Sequence, residues 1–208
     1  MAHRAPFLRN LWALTVLSFL RERPLHPYEI RQLVVERGKD QFLDLKRGSL
    51  YHAVDHLQRA GLIEAIETIR QGRRPERTVY GITAAGENEL LAWLADLLRK
   101  PGDDSQDFFA ALSFLIHLPP NDVANLLEQR AEQLRRRIGD LGQSLTALSS
   151  KLGRVLLLES EYARAAQESE LSWVQSLIEQ IRSEKVTWNP VHTCSGHKRS
   201  RTRSRRKA

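Results

Sequence analysis

Residues 47–64 read RGSLYHAVDHLQRAGLIE, and how this stretch folds decides how the rest of the chain is understood. Leu50, Ala53, Val54 and Leu57 recur at helical spacing as one apolar stripe, and Gly61 supplies a stop. Projected at about 100° per residue, Leu50, Val54 and Leu57 point inward, while Gly48, His52, Asp55 and Arg59 point outward with Ser49 and Tyr51 on the flanks. Two chemistries fit such a face. His52 and His56 stand one turn apart with Asp55 between them, a spacing similar to the HxxEH pattern of zinc peptidases. The same face suits a DNA groove. Two histidines leave zinc short of ligands, and Asp55 is shorter than the glutamate that serves as base in those enzymes. A metallo-hydrolase is therefore kept as an alternative, and the flanking elements separate the two readings.

Upstream, Leu11, Trp12, Leu14, Val16, Phe19 and Leu20 predict a helix from Leu8 to Leu20, ended by the charged RER cluster and Pro24. HPYEIRQLVVERG predicts a second, with Pro27 in its first turn, Tyr28, Ile30, Leu33 and Val34 as its apolar residues, and Gly38 as its stop. The helix containing HAVDH is the third. Downstream the pattern changes to alternation: LIEAIETI, the Arg-rich turn RQGRRPER and TVYGIT predict a hairpin of residues 62–69 and 78–82. Thr83 can cap a fourth helix, AAGENELLAWLADLLRK, closed by Pro101 and Gly102. Three helices, a hairpin and a fourth helix give the order of a winged helix-turn-helix domain over residues 1–100.

Residues 101–188 are predicted to be helical. DFFAALSFLIHL forms a short apolar helix that stops at Pro119 and Pro120, and Asn121 can cap the next. In that helix Leu127, Ala131, Leu134, Ile138, Leu141, Leu145, Leu148 and Leu152 alternate spacings of four and three, a heptad seam suited to a partner helix. The rival is the packed face of an ordinary bundle helix, and Gly139 and Gly142 weaken one straight coiled coil. A further amphipathic helix, Arg154 to Lys185, carries Val155, Leu158, Tyr162, Ala166, Trp173, Leu177 and Ile181. The fold class is thus mainly α with one small hairpin: an N-terminal winged helix-turn-helix and a C-terminal long-helix, coiled-coil-like part.

Charge is unevenly divided along the 208 residues. Residues 1–100 carry +4, residues 101–188 carry −4 and residues 189–208 carry +7, so the isoelectric point near 9.9 reflects mostly a twenty-residue tail. That tail has almost no apolar residue after Val191 and is predicted to be a disordered basic arm. Its HTCSGH, with His192, Cys194 and His197, is a second possible metal cluster. The lone cysteine excludes an intramolecular disulfide. No run of 18 apolar residues occurs, and the expectation is a cytoplasmic protein. No GxGxxG, Walker loop or GxSxG is present, so no cofactor or enzyme motif is predicted.

GSLYHAVDHLQRAGLIE, the wing GRRPERTVYGITAAG and the opening VLSFLRERPLHPYEI together resemble a PadR-type transcriptional regulator. They follow that family's GSLYPxLxxLExxGLI and GRPRKxYxLTxxG almost in register, and ESEYARAAQESELSWVQSLIEQI is similar to the helical C-terminal half of its longer members. The sequence departs from the pattern twice, with His52 where the family commonly has Pro and with one more Arg before the wing's Pro. The resemblance implies a homodimeric regulator of palindromic operator DNA, expected to be a repressor, with a small hydrophobic or phenolic effector as a further possible partner. It implies dimerisation through Leu127, Leu134, Ile138, Leu141, Leu145, Leu148, Tyr162, Trp173 and Leu177. In helix-turn-helix geometry the start of the third helix reaches base edges and phosphates, which selects Arg47, Ser49, Tyr51, His52 and His56. Arg70, Arg73, Arg74 and Arg77 crowd the wing tip and suit phosphates or a narrow minor groove. A dimeric architectural DNA-binding protein without an effector is the alternative within the same class. Trp12, Trp93, Trp173 and Trp188 are available to line an effector pocket, although tryptophan in a helical protein is more often core.

Overall fold

The computed structural model describes residues 9–43, 45, 49–69, 77–102 and 105–188, with the backbone alone at 49, 69, 77 and 105. The first helix, α1 (Leu11–Glu22), begins where the Asn10 side chain accepts the Ala13 N–H at 2.9 Å, a cap that satisfies one of the free first-turn donors. Every residue from Trp12 to Leu20 is buried, so α1 is covered all round. In α2 (Pro27–Glu36) a capping box fixes the start: His26 Nδ1 accepts from the Tyr28 N–H at 3.0 Å, and Glu29 accepts from the His26 N–H at 2.8 Å. Tyr28 was expected on the apolar face, but Ile30 and Val34, one turn apart, form that face, and Tyr28 on the opposite side is exposed.

The third helix, α3 (Ser49–Arg59), ends in a motif that its sequence dictates. Gly61 takes φ 68°, the Leu62 N–H donates to Leu57 O at 2.9 Å and the Gly61 N–H to Gln58 O at 2.9 Å. Those bonds are the paired closures of a helix terminated by a left-handed glycine, and buried Leu62 and Leu57 supply its apolar contact. The hairpin of β1 (Ile63–Ile69) and β2 (Arg77–Ile82) is antiparallel, with its register shifted between Ala65 and Glu67. Ile66 is the extra residue, and its side chain lies over Gly81, where any Cβ would collide with it. The loop after α1 adds a third rung, with Leu25 and Tyr80 exchanging N–H···O bonds of 3.0 and 2.9 Å.

In α4 (Ala84–Arg99), Thr83 Oγ1 accepts from the Gly86 N–H at 3.1 Å and donates to Gly61 O at 2.8 Å. One hydroxyl therefore starts α4 and ties it to the end of α3. Gly86 is required there because a Cβ would run into the Leu62 carbonyl. Three helices, the hairpin and α4 form a winged helix-turn-helix around one core that includes Leu14, Phe19, Leu50, Leu57, Ile63 and Leu90.

After α5 (Ser105–Ser113) and a 3-10 turn at Leu115–His117 comes α6 (Pro120–Ser149), and after a 3-10 turn at Arg154–Leu157 comes α7 (Leu158–Arg182). Asn121 does not cap α6. Pro119 occupies that position and Pro120 follows as the first helical residue, where its fixed φ and missing N–H are harmless. α6 and α7 run antiparallel, pinned by Arg182–Glu128 at 2.8 Å and Arg130–Glu170 at 2.6 Å. Beyond α7 the chain returns to the body, where the Trp188 indole N–H donates to Leu118 O at 3.1 Å. Among the described residues no helix is long and apolar enough to cross a membrane.

Candidate nucleic-acid interface

The outward face of α3 is exposed among the described residues. Leu50, Ala53, Val54 and Leu57 are buried beneath it, while Tyr51, at 60% exposure, and the exposed His52 and His56 project away from the body. Asp55 pairs with Arg59 at 2.9 Å across one turn, so its charge is partly balanced on the helix itself. Beside this face a groove of about 250 Å³ runs between α2, α3 and β2, lined by His26, Pro27, Tyr51, Asp55, Thr78 and Tyr80. Of the nine residues predicted to contact DNA, Tyr51, His52 and His56 thus share one open surface. Arg47, Arg70, Arg73 and Arg74 lie outside the described residues, as do the side chains of Ser49 and Arg77.

Among the described residues no three His, Cys, Asp or Glu gather into a group that could hold a metal ion, and Asp55 of HAVDH is engaged with Arg59. The HTCSGH cluster and the whole basic tail lie outside the described residues.

The residues predicted to pair with a second chain fall into three groups. Leu127 and Leu134 are buried in this chain's own core, where α6 meets α4 and α7. Ile138, Leu141, Leu145 and Leu177 are half-buried, and Leu148, Tyr162 and Trp173 are exposed. The seam is therefore divided by position: its first half packs within the chain, and its second half, with Leu152, Val155, Leu156 and Leu158 at the hairpin tip, leaves apolar surface open. Of the tryptophans, Trp12 and Trp93 are core, Trp173 is half exposed and packs edge-to-face with Phe108, and Trp188 lines a cavity.

That cavity, about 380 Å³, was not legible in the sequence. It lies where the end of α2, the end of α5 with its following turn, and residues 186–188 converge, and its walls include Arg37, Lys39, Phe114, His117 and Trp188. Arg37 is held by two bonds to Glu22, at 2.6 and 2.7 Å, which raise its pKa. Lys39 Nζ donates to Ser113 O at 2.8 Å, and burial, helped by Arg37, lowers its pKa. His117 is 5% exposed, and neither ring nitrogen has a hydrogen-bond partner among the described residues. Burial, with the nearby Arg21 guanidinium adding to it, brings its pKa down from 6.5 to about 4, so at neutral pH the ring is uncharged and offers one donor and one acceptor.

Residues 16–92 match the model of the Transcriptional regulator PadR-like family. The negative transcriptional regulator PadR of Bacillus subtilis (strain 168) is 25% identical over 176 residues, which cover 80% of this chain and 94% of that protein. The crystal structure of Bacillus subtilis PadR in complex with operator DNA is similar at 22% identity and a TM-score of 0.40, covering 83% of this chain and 99% of that one. The same protein in complex with p-coumaric acid gives 21% identity and a TM-score of 0.37, with 83% and 99% covered.

Proposed function

With residues 16–92 forming a PadR-like domain, the chain is a PadR-type transcriptional regulator, and we propose that it represses transcription by binding palindromic operator DNA as a homodimer. The observation that carries this reading is the face of α3, where Tyr51, His52 and His56 stand exposed above a fully buried apolar stripe. Aromatic hydroxyl and imidazole groups at the start of such a helix reach base edges and phosphates. Arg47 and Ser49 extend that contact, and the wing arginines Arg70, Arg73, Arg74 and Arg77 neutralise backbone phosphates. The reading divides the chain into a DNA-binding part (1–100), a helical dimerisation part (101–188) and a basic arm (189–208), and places its work in the cytoplasm. The open second half of the α6 seam, with Tyr162 and Trp173, is the surface assigned to the second copy.

The cavity at His117 is assigned to a small hydrophobic or phenolic effector. Its volume falls within the range of ligand pockets, and its Phe114 and Trp188 walls suit a flat apolar body.

Selection from random duplexes followed by footprinting tests the whole reading. A symmetric site with half-sites about one helical turn apart, or a multiple of it, is expected, together with an altered preference in His52→Ala. A monomer in light scattering at micromolar concentration, or enrichment of no symmetric site, defeats it. Binding that no phenolic or hydrophobic small molecule releases would leave the architectural alternative in its place.

A further inference from the structure

The junction between the DNA-binding elements and the long helical hairpin is built around one side chain. Arg130 lies on the buried stripe of α6 with Leu127, Ala131 and Leu134 and is 3% exposed. Its Nη1 donates to Leu97 O at 3.2 Å and Lys100 O at 2.8 Å, carbonyls at the C-terminal end of α4 that lack intrahelical donors. Its Nε donates to Glu170 of α7 at 2.6 Å, and its guanidinium lies 3.7 Å from the Phe108 ring centre of α5. Gln133, also on α6, adds a bond to Arg99 O at 2.9 Å. Trp173 of α7 meets the same Phe108 ring edge-on, with centres 6.2 Å apart. One planar cation on α6 thus touches three other helices at once, which a flexible point charge cannot do.

Two other polar links between the two parts end elsewhere. Arg21 Nη1 donates to His117 O at 2.6 Å and Lys39 Nζ to Ser113 O at 2.8 Å, so both hold the α5 segment and neither reaches the α6–α7 hairpin. Among the described residues, the polar ties between α4 and that hairpin are thus Arg130 and its neighbour Gln133, set within the apolar packing of α4 on α6. A buried ion of this kind adds little net stability over an apolar side chain of similar size, whereas its fixed fork geometry sets an angle.

We propose that Arg130 is a positioning residue for operator recognition: by clamping the C-terminal end of α4 to the α6–α7 hairpin, it sets the angle at which a dimer presents its two α3 helices and so selects the spacing of the half-sites. This rests on the homodimer reading above. Each added base pair moves a half-site by about 3.4 Å and turns it by about 35°, so neighbouring spacings are told apart only if the joint is stiff.

The test uses the full chain and its Arg130→Lys and Arg130→Met variants on duplexes carrying the enriched half-site singly, at its selected spacing, and with one or two base pairs inserted or removed. The wild type is expected to lose about tenfold or more in affinity at the altered spacings, and the variants less than about threefold, because the selected spacing loses its advantage. Single half-site affinity and the mass in light scattering should stay at wild-type values, an outcome that loss of stability alone does not produce. A variant profile as sharp as the wild type's overturns the inference, as does a uniform loss on every duplex, the single half-site included. Should both variants fail to fold by circular dichroism, Phe108→Leu with Gln133→Ala loosens the clamp without unpairing the charge and faces the same two outcomes. If the wild type itself shows no preference for paired half-sites, the homodimer reading fails and this inference with it. If it shows the preference and the variants keep it, only the inference fails.

Discussion

His117 illustrates how a residue's surroundings set its chemistry. No spacing rule marks it in the sequence, because its partners come from α1, from the end of α2 and from the returning chain at 186–188. Its ring stacks on Phe114 with centres 6.4 Å apart, and Arg21, Glu22 and Arg37 are the charges that act on it. With a folded pKa near 4 against 6.5, the unfolded chain takes up a proton there before the native one does. The contribution to stability is therefore fully present above about pH 6.5, is lost progressively as pH falls toward 4, and amounts to at most about 3 kcal/mol. Thermal melts between pH 7 and 4.5 should show a steeper acid loss in the wild type than in His117→Leu. Parallel curves would mean that the ring is protonated without penalty. His52, by contrast, is exposed on the outer face of α3 as residue spacing alone predicts, and Tyr51, expected on the flank, is exposed as well, because that placement depends only on the helical repeat.

At the scale of elements, local signals carried most of the fold. Gly61 and Gly38 take the left-handed conformations expected of helix stops, at φ 68° and 63°, and Thr83 caps α4 as its hydroxyl and position predict. The bulge at Ile66 in β1 is not marked by the alternation of LIEAIETI, since a bulge is a pairing property that one strand's sequence does not hold. The start of α6 departs from the expected Asn121 cap, two prolines serving in place of a polar side chain. The heptad seam was visible, but which helix covers it was not, since periodicity marks a buried face without naming its partner. Leu134 is 1% exposed within the chain, so Leu134→Ala should lower the folding stability by about 2–5 kcal/mol. Leu141→Asp, at a half-buried position in the open half of the seam, should leave a folded chain that no longer pairs. Denaturant melts and light scattering on both variants separate the roles; a dimeric Leu141→Asp would remove the second half of α6 from the interface.

At the scale of the whole molecule, charge is segregated, and the segregation has a measurable consequence. Residues 1–188 carry 25 basic and 25 acidic side chains and are formally neutral, whereas residues 189–208 carry seven basic side chains and no acidic one. Among the described residues many of the body's cations are paired: Arg21, Arg37, Arg130, Arg154 and Arg182 each meet a carboxylate within 3.0 Å. Long-range attraction to a duplex is then expected mostly from the wing, from Arg47 and from the tail, and of these the tail alone lies far from α3 in sequence. A tail of this composition gains affinity through phosphate neutralisation alone, which is blind to base sequence. Removing residues 189–208 keeps Trp188 and its bond to Leu118 O, so the body should stay folded. The truncated chain should protect the same operator bases, bind random duplex more weakly and show a shallower dependence of affinity on salt. With seven cations lost, the slope of log affinity against log salt can fall by at most about 6. Titrations of both proteins on operator and random duplex across a salt series measure this directly. An unchanged slope would make the tail a bystander, and a lost footprint would give it a part in choosing the site.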